Sequence, residues 1–280
     1  MDENTKKQLK IFACKARMGV IEGVYNAKAG HPGGSLSICD VLSYLYNVEM
    51  NIDPKNPKMK NRDRFVLSKG HAAPALYATL ALKGYFPVED LKTLRKSDSY
   101  LQGHPNMDKT PGVDMSTGSL GQGVSAAVGM ALGAKLDKAD YRVYTILGDG
   151  EIEEGQVWEA AMLAGNKKLD NLMAFIDYNG LQIDGSIEEV NSAFPIAEKF
   201  KAFKWNVIEI DGHNFDAINA AVKAADACKD MPTAIVMKTV KGKGVSYMEN
   251  AVNWHGAAPN EELYNQAMGE LNAALAELEA

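Results

Sequence analysis

One carboxylate and one amide, each closing a strand-like run and each beside glycine, are the residues of this sequence best suited to hold a cation. Asp149 stands in Gly148-Asp149-Gly150, and Asn179 precedes Gly180 thirty positions later (179 minus 149). Both offer hard oxygens only, and Mg²⁺ is usually bound by one or two carboxylates with phosphate oxygens completing its octahedron. A single protein charge calls for an anionic ligand that shares the ion. Gly148 and Gly150 let the backbone turn sharply and come close to that anion, and the next helix offers it free N–H groups. The pair therefore reads as a metal-bridged diphosphate site. Taken alone, Gly-Asp-Gly serves equally well as a turn with a helix N-cap; Asn179 at the end of the following strand is what argues for the site.

The elements that must position this pair are legible around it. The β-branched and aromatic run from Tyr141 to Leu147 suits a buried strand, Leu172 to Ile176 suits a second, and Val157, Ala160, Ala161 and Ala164 form a helical stripe between them. A right-handed crossover brings the carboxyl ends of both strands to one sheet edge, where open α/β proteins bind ligands.

The same alternation runs through the chain. Apolar spacing from Lys6 to Ala29 predicts a first helix, followed by a glycine-rich loop from Gly30 to Ser35 and a second helix marked by Val41, Leu42 and Leu45. Arg64 to Leu67 is a strand candidate, Ala72 to Lys83 a helix, and Pro87 opens a short helix to about Lys96. Gly118 to Gly123 enters a helix of small residues, including Ala126, Gly129 and Gly133, suited either to tight packing in its own domain or to close approach by another backbone. Trp205 to Ile210 and Thr233 to Lys238 are further strands around a helix from Phe215 to Cys228, and a helix from Glu261 to Leu278 follows the loop from Thr239 to Asn260. The expectation is an α/β fold: a doubly wound, mostly parallel sheet flanked by helices, with residues 1–280 as one domain.

Composition sets bounds. With 280 residues, 46% apolar and 24% charged, the chain buries roughly three quarters of its unfolded surface. A net charge of -6 argues against nucleic-acid or anionic-membrane partners. No signal core and no membrane-length apolar run is visible, so the expected location is cytoplasmic. Cys14, Cys39 and Cys228 form no Cys-x-x-Cys pair and read as buried thiols.

Four of the five histidines, His31, His71, His104 and His213, follow a glycine, and His255 precedes one. On loops with a low backbone, an imidazole reaches phosphate or hydroxyl oxygens and moves protons near neutral pH. Singly, each reads as a turn residue or cap; as a set, without His213, they point to function. Metal ligation is disfavoured by their spacing.

In chain order, Gly30-His31-Pro32-Gly33, Lys69-Gly70-His71-Ala72, Gly103-His104-Pro105, Thr117-Gly118-Ser119-Leu120-Gly121-Gln122-Gly123, Gly148-Asp149-Gly150 and Asn253-Trp254-His255-Gly256 resemble the amino-terminal, diphosphate-binding part of transketolases. The resemblance covers nearly the whole chain. It implies the thiamine-diphosphate-binding fold of the diphosphate-binding type, with thiamine diphosphate and Mg²⁺ as cofactors and Ca²⁺ or Mn²⁺ as possible substitutes. On it, Asp149, Asn179 and the Leu181 carbonyl are the metal ligands. His71, Gly118, Ser119, Leu120, Gly150, Glu151, Asn179 and His255 contact the cofactor. His31, His71, His104 and His255 face the reacting sugar, and Glu154 and Glu159 match acids at a subunit contact beside the cofactor. Ser119 stands where the family generally has proline, and Gly34-Ser35-Leu36-Ser37 where it has Ala-Pro-Leu-Gly, which bears on substrate and not on cofactor.

The implied reaction is transfer of a two-carbon ketol unit from a ketose phosphate to an aldose phosphate, as in the pentose phosphate pathway. The nearer alternatives are a deoxyxylulose-phosphate synthase or a transketolase for a branched sugar phosphate. In a nicotinamide-dependent oxidoreductase, Asp177 would serve a dinucleotide, but Asp149 would repel a bare pyrophosphate and Gly148, Gly150 and Gly155 are not spaced Gly-x-Gly-x-x-Gly. A silent regulatory subunit is disfavoured by the intact site residues. The lysines of Lys241-Gly242-Lys243-Gly244 are placed to lend charge to phosphate, but two lysines in a glycine-rich loop are more often simply solvated, and they are read so here. The pyrimidine-binding and carboxyl-terminal domains, with the acid that activates the aminopyrimidine, are expected on a companion carboxyl-terminal transketolase subunit in an α₂β₂ complex.

Overall fold

The structure, a computed structural model, describes all 280 residues. Its first helix, α1 (Glu3–Ala27), is capped by Asp2, whose side chain accepts the Thr5 amide at 2.8 Å. In chain order follow α2 (Pro32–Leu36), α3 (Cys39–Tyr44), β1 (Arg64–Leu67), α4 (Ala73–Leu82), α5 (Gln122–Leu136), β2 (Val143–Gly148), α6 (Gly155–Asn166) and β3 (Leu172–Tyr178). The remaining elements are α7 (Ile187–Val190), α8 (Ile196–Ala202), β4 (Asn206–Asp211), α9 (Phe215–Ala227), β5 (Thr233–Lys238) and α10 (Glu261–Glu279).

The five strands form one sheet in the order β1-β2-β3-β5-β4, and every pair is parallel. A parallel sheet is covered on both faces, so its strands read as apolar runs whose side chains alternate between two cores. Tyr144, Ile146, Met173, Phe175, Ile235 and Met237 join a cluster of 45 buried residues with α1, α3, α4, α9 and α10. Val143, Leu147, Leu172, Ala174, Ile176, Ala234 and Val236 join a cluster of 22 with α5, α6 and α8. The first face is the thicker, because α1 and α10 pack as an extra layer there. Helix α6 links β2 to β3 on one face, whereas α9 links β4 back to β5 on the other. The chain therefore reverses direction between β3 and β5, and the crevice at their carboxyl ends is the topological switch point.

Both edges of the sheet are dressed with charge. On β1 the Phe65 N–H donates to the Asp114 carboxylate at 2.8 Å, while β4 leaves Glu209 and Asp211 exposed.

The doubly wound parallel sheet expected from the sequence is present, and three local expectations are corrected. The loop after Gly30 contains α2, because Pro32 pre-sets the first-turn dihedral. The segment from Pro87 is only a 3₁₀ turn, Val88–Thr93, and two short helices, α7 and α8, fill the connection from β3 to β4. Cys14 and Cys39 are buried, but Cys228, just beyond α9, is only half-buried. No helix is long and apolar enough to cross a membrane.

Candidate functional site

β2 and β3 run in register to the pair Gly148 and Asp177, so the residues that follow them emerge side by side at the switch point. Asp149 is 2% exposed, and its carboxylate accepts the N–H groups of Gly150 (2.9 Å), Asn179 (2.9 Å) and Gly180 (2.6 Å). Gly180 has φ +78°, a turn that glycine takes without strain and that curls the backbone back over this carboxylate. Burial, then the neighbouring charge of Asp177, push the Asp149 carboxyl up to about 7. A cation set against it would relieve both. Asn179 Oδ1 accepts the Leu181 N–H at 3.1 Å, and the Leu181 carbonyl accepts from Lys241 Nζ at 3.2 Å.

Beneath these groups lies a buried ion pair. Lys69 Nζ donates to Asp177 at 2.5 Å and to the Gly34 carbonyl at 2.7 Å, with the lysine 1% and the aspartate 0% exposed at the side chain. Asp177 also accepts from Ser37 Oγ (2.8 Å), Thr239 Oγ1 (2.5 Å) and Asn179 Nδ2 (3.1 Å). Burial is the largest single influence and opposes its ionisation, but the Lys69 charge and the hydrogen bonds from Lys69, Thr239 and Ser37 together outweigh it and hold the carboxyl below its ordinary value. Asp177 thus anchors the floor and the Asn179 amide, and it is not available to a ribose.

Above the floor is a cavity of about 200 Å³ lined by Asp149, Asn179, Lys69, Lys241 and the imidazoles of His31, His71 and His255, with Gly118, Leu120, Gly150, Glu151 and Leu181 on its walls. His31 is central: its ring lies 5.5 Å from His71, 5.6 Å from His255 and 5.9 Å from His104, and His71 lies 5.2 Å from His255. Burial, followed by nearby positive charge, pushes His31 down to about 4 and His255 down to about 3, and lowers His71 and His104 in the same way. The set is neutral near pH 7. His31 Nδ1 is buried without a protein partner. Such an atom calls for a bound group.

Lys241, read from the sequence as solvated, is 1% exposed; burial, then the charge of Lys69, bring its ammonium down to about 8. Its position follows from a backbone tie across the fold, in which the Gly242 N–H donates to the Gly33 carbonyl at 3.0 Å. Sequence reasoning missed Lys69 and the anchoring part of Asp177, and weighed Lys241 as a source of charge for phosphate only to prefer the solvated reading. The signal present was their adjacency to glycine or to Asn179.

The other expected residues divide. Glu151 lies on the cavity wall, but its carboxylate turns inward and accepts Ser68 Oγ (2.5 Å), Gly121 N (3.0 Å) and Gly148 N (3.1 Å), tying the start of α5 to the end of β2. Gly118 and Leu120 line the cavity, whereas Ser119 is exposed. Glu154 and Glu159 are exposed on the α6 side. The small residues of α5 divide: Ala127, Ala131 and Ala134 pack tightly within the domain against the sheet, while a Cβ at Gly129 or Gly133 would meet nothing within 4 Å.

The donor set of carboxylate, amide and carbonyl oxygens fits a hard cation, and the cationic lysines and backbone N–H groups fit a polyanion. Fold and site together define a doubly wound α/β domain with a cavity at its switch point whose lining suits a diphosphate. Comparison with known proteins carries this further. The transketolase, thiamine diphosphate binding domain, matches residues 9–272. The chain is 52% identical over 251 residues to the 6-deoxy-6-sulfo-D-fructose transketolase subunit SqwG of Clostridium sp. (strain MSTE9), covering 90% of this chain and 91% of that one. It is 45% identical to one of the subunits of the apulose-4-phosphate transketolase of Phocaeicola vulgatus, covering 97% and 96%. Human transketolase is 40% identical over 96% of this chain, which spans only 43% of the human protein. The transketolase crystal structure from Campylobacter jejuni superposes with a TM-score of 0.90 at 34% identity, covering 99% of this chain and 46% of that one. The chain belongs to the transketolase family, in its thiamine-diphosphate-binding domain.

Proposed function

We propose that this chain is the amino-terminal, cofactor-binding subunit of a split, thiamine-diphosphate-dependent transketolase, with residues 1–280 acting as one domain. The observation that carries the reading is the convergence of Asp149, Asn179 and the Leu181 carbonyl with Lys69, Lys241 and the neutral histidines at one cavity. Asp149, Asn179 and the Leu181 carbonyl would hold Mg²⁺. Gly150, His71, His255 and Asn179 would contact the diphosphate, and Gly118 and Leu120 would lie against the aminopyrimidine. Bound thiamine diphosphate supplies the carbanion-stabilising centre for transfer of a two-carbon ketol unit.

His31 and His104 would then face the sugar at the cavity mouth. A neutral imidazole accepts a hydroxyl proton and returns it, so the depressed pKa values suit a base that is uncharged at pH 7. The donor is read as a ketose with an anionic terminus, a phosphate in the first instance. The names of the two similar subunits, which concern a sulfonated and a phosphorylated sugar, support that class.

The partner is a companion carboxyl-terminal subunit, assembling as α₂β₂ in the cytoplasm. Both similar chains of this length are themselves transketolase subunits by name, and the full transketolases are about twice as long as the matched region. The open glycines of α5, exposed Leu136 and Met162, and Glu154 and Glu159 give the surface for this contact. The test is reconstitution. This chain alone should bind Mg²⁺-thiamine diphosphate yet transfer no ketol unit, and adding the companion should restore transfer. Robust transfer by the isolated chain would refute the two-chain reading, and no cofactor binding in either state would refute the cofactor reading.

A further inference from the structure

His213 stands apart from the histidine cluster, on the turn between β4 and α9, and it is neither exposed nor part of the cavity wall. Its two ring nitrogens are both engaged. Nδ1 lies 2.7 Å from Asp40 Oδ2, and Nε2 lies 2.9 Å from the backbone nitrogen of Val240. A backbone N–H only donates, so Nε2 must be the acceptor; a carboxylate only accepts, so Nδ1 must carry the proton. These two contacts select the Nδ1–H tautomer, in which Nε2 is free to accept at Val240. The far end is rigid as well: Asp40 is buried on α3 and receives both terminal nitrogens of Arg17 from α1, at 3.2 and 2.5 Å.

Val240 is the residue before Lys241. The loop they share leaves β5 at Thr239, whose hydroxyl bonds Asp177, and crosses the first face of the sheet. There Gly242 N bonds the Gly33 carbonyl and Lys241 O receives Asn250 N at 2.9 Å. The Lys241 side chain then enters the cavity, 3.2 Å from the Leu181 carbonyl and 3.0 Å from His255 Nδ1. One side-chain acceptor therefore fixes the backbone at the point from which the ammonium is launched.

We infer that His213 is a positioning residue: held by Asp40 as the Nδ1–H tautomer, its Nε2 accepts the Val240 N–H and so sets where the Lys241 ammonium meets an anionic ligand. This inference rests on the proposed diphosphate reading of the cavity for its ligand, though not for its geometry. Such an arrangement, an imidazole oriented by a carboxylate so that its other nitrogen does the work, is how proteins commonly fix a histidine tautomer.

The test is a double-substitution cycle on the full chain, reading thiamine diphosphate affinity by calorimetry at fixed Mg²⁺. His213→Phe, which fills the space without the acceptor, should weaken binding about tenfold, the order of loss expected when one charge-assisted contact, that of the Lys241 ammonium to the anion, is displaced. His213→Gln, which restores an acceptor, should recover most of the loss. In a Lys241→Met background, His213→Phe should add less than about twofold, because the residue it positions is gone. Wild-type affinity in His213→Phe, or full multiplication of the two effects, would overturn the inference. Ring ¹⁵N spectra of the wild-type chain at pH 7.5 give an independent reading should His213→Phe not fold. They should show a protonated Nδ1 and an unprotonated Nε2, and the opposite tautomer or a doubly protonated ring would overturn it. If the wild-type chain binds no thiamine diphosphate either alone or with its companion, the cofactor reading fails instead, and the ring spectra still decide the positioning geometry.

Discussion

The Asn179 N–H donates to Asp149 Oδ2 at 2.9 Å, so the two residues proposed to share a cation are already bound to each other through the backbone. The Gly180 N–H adds a second donor at 2.6 Å to the same oxygen. One carboxylate thus shapes the turn that carries its partner ligand.

It follows that Asp149→Ala removes a ligand and also releases the turn, whereas Asn179→Ala removes a ligand with its side-chain bonds to Asp177 and the Leu181 N–H but leaves the backbone bonds of the turn to Asp149 in place. Both should abolish Mg²⁺-dependent binding of thiamine diphosphate, measured by calorimetry. Asp149→Ala should in addition lower stability by about 2 kcal/mol, because buried N–H groups lose their acceptor. Wild-type affinity in either variant would remove these residues from the metal site.

His31→Ala and His104→Ala should keep cofactor affinity within a few-fold while the reconstituted complex loses turnover by about 10²-fold or more, the usual contribution of a general acid or base. A raised KM with unchanged kcat would instead mean that they only bind sugar hydroxyls.

The histidine cluster predicts a pH dependence for the cofactor-free chain. His31 at about 4 and His255 at about 3 lie below the ordinary value of 6.5. Between those limits the unfolded chain binds the proton and the native chain does not, so stability falls as pH drops from about 7 toward 4. Asp149, raised to about 7 from 3.8, works in the other direction, since over that window the native state binds the extra proton. With His71 and His104 shifted downward as well, the histidines dominate. The thermal midpoint should fall between pH 7.5 and 5.5, and His255→Gln should make the fall shallower by up to about 1 kcal/mol of stability, allowing for partial solvation. A midpoint that rises over this range would contradict the depressed histidines.

Glu151 and Glu159 make a contrasting pair of acids. Glu151→Ala should destabilise the isolated chain by about 2 to 3 kcal/mol, since three buried donors lose their acceptor. Glu154→Gln and Glu159→Gln should leave the isolated chain within about 0.5 kcal/mol of wild type and act only in the presence of the companion. Equal denaturant midpoints for Glu151→Ala and Glu159→Gln would deny Glu151 its anchoring part.

The sheet was legible because a buried parallel strand reads as a near-continuous apolar run, and Val143 to Leu147, broken only by Thr145, Leu172 to Ile176 and Ala234 to Met237 are such runs. The pair Asp149 and Asn179 was legible because it sits where two such runs end. Lys241 was not, since a lysine between valine and glycine carries no mark of burial. Its ties to Gly33 and, through Val240, to His213, both far away in sequence, take it inside. His213 was set aside for the converse reason, as its partners Asp40 and Val240 come from elements that no local pattern connects. Glu151 stood in the right place, but the direction of its carboxylate depends on Ser68 and Gly121 from two other elements.

The charged dressing of the outer strands bears on how copies of this chain meet. An open sheet edge is a template for any other strand, and proteins that remain discrete commonly block such edges with side chains or charge. Here Asp114 occupies the Phe65 donor on β1, and Glu209 and Asp211 line β4 with like charge. Extending the sheet from chain to chain would pair acid against acid at one end and find a donor already taken at the other. Growth into fibrils is thereby discouraged at both margins, and crowding at high expression is left to favour contacts through the helical layers.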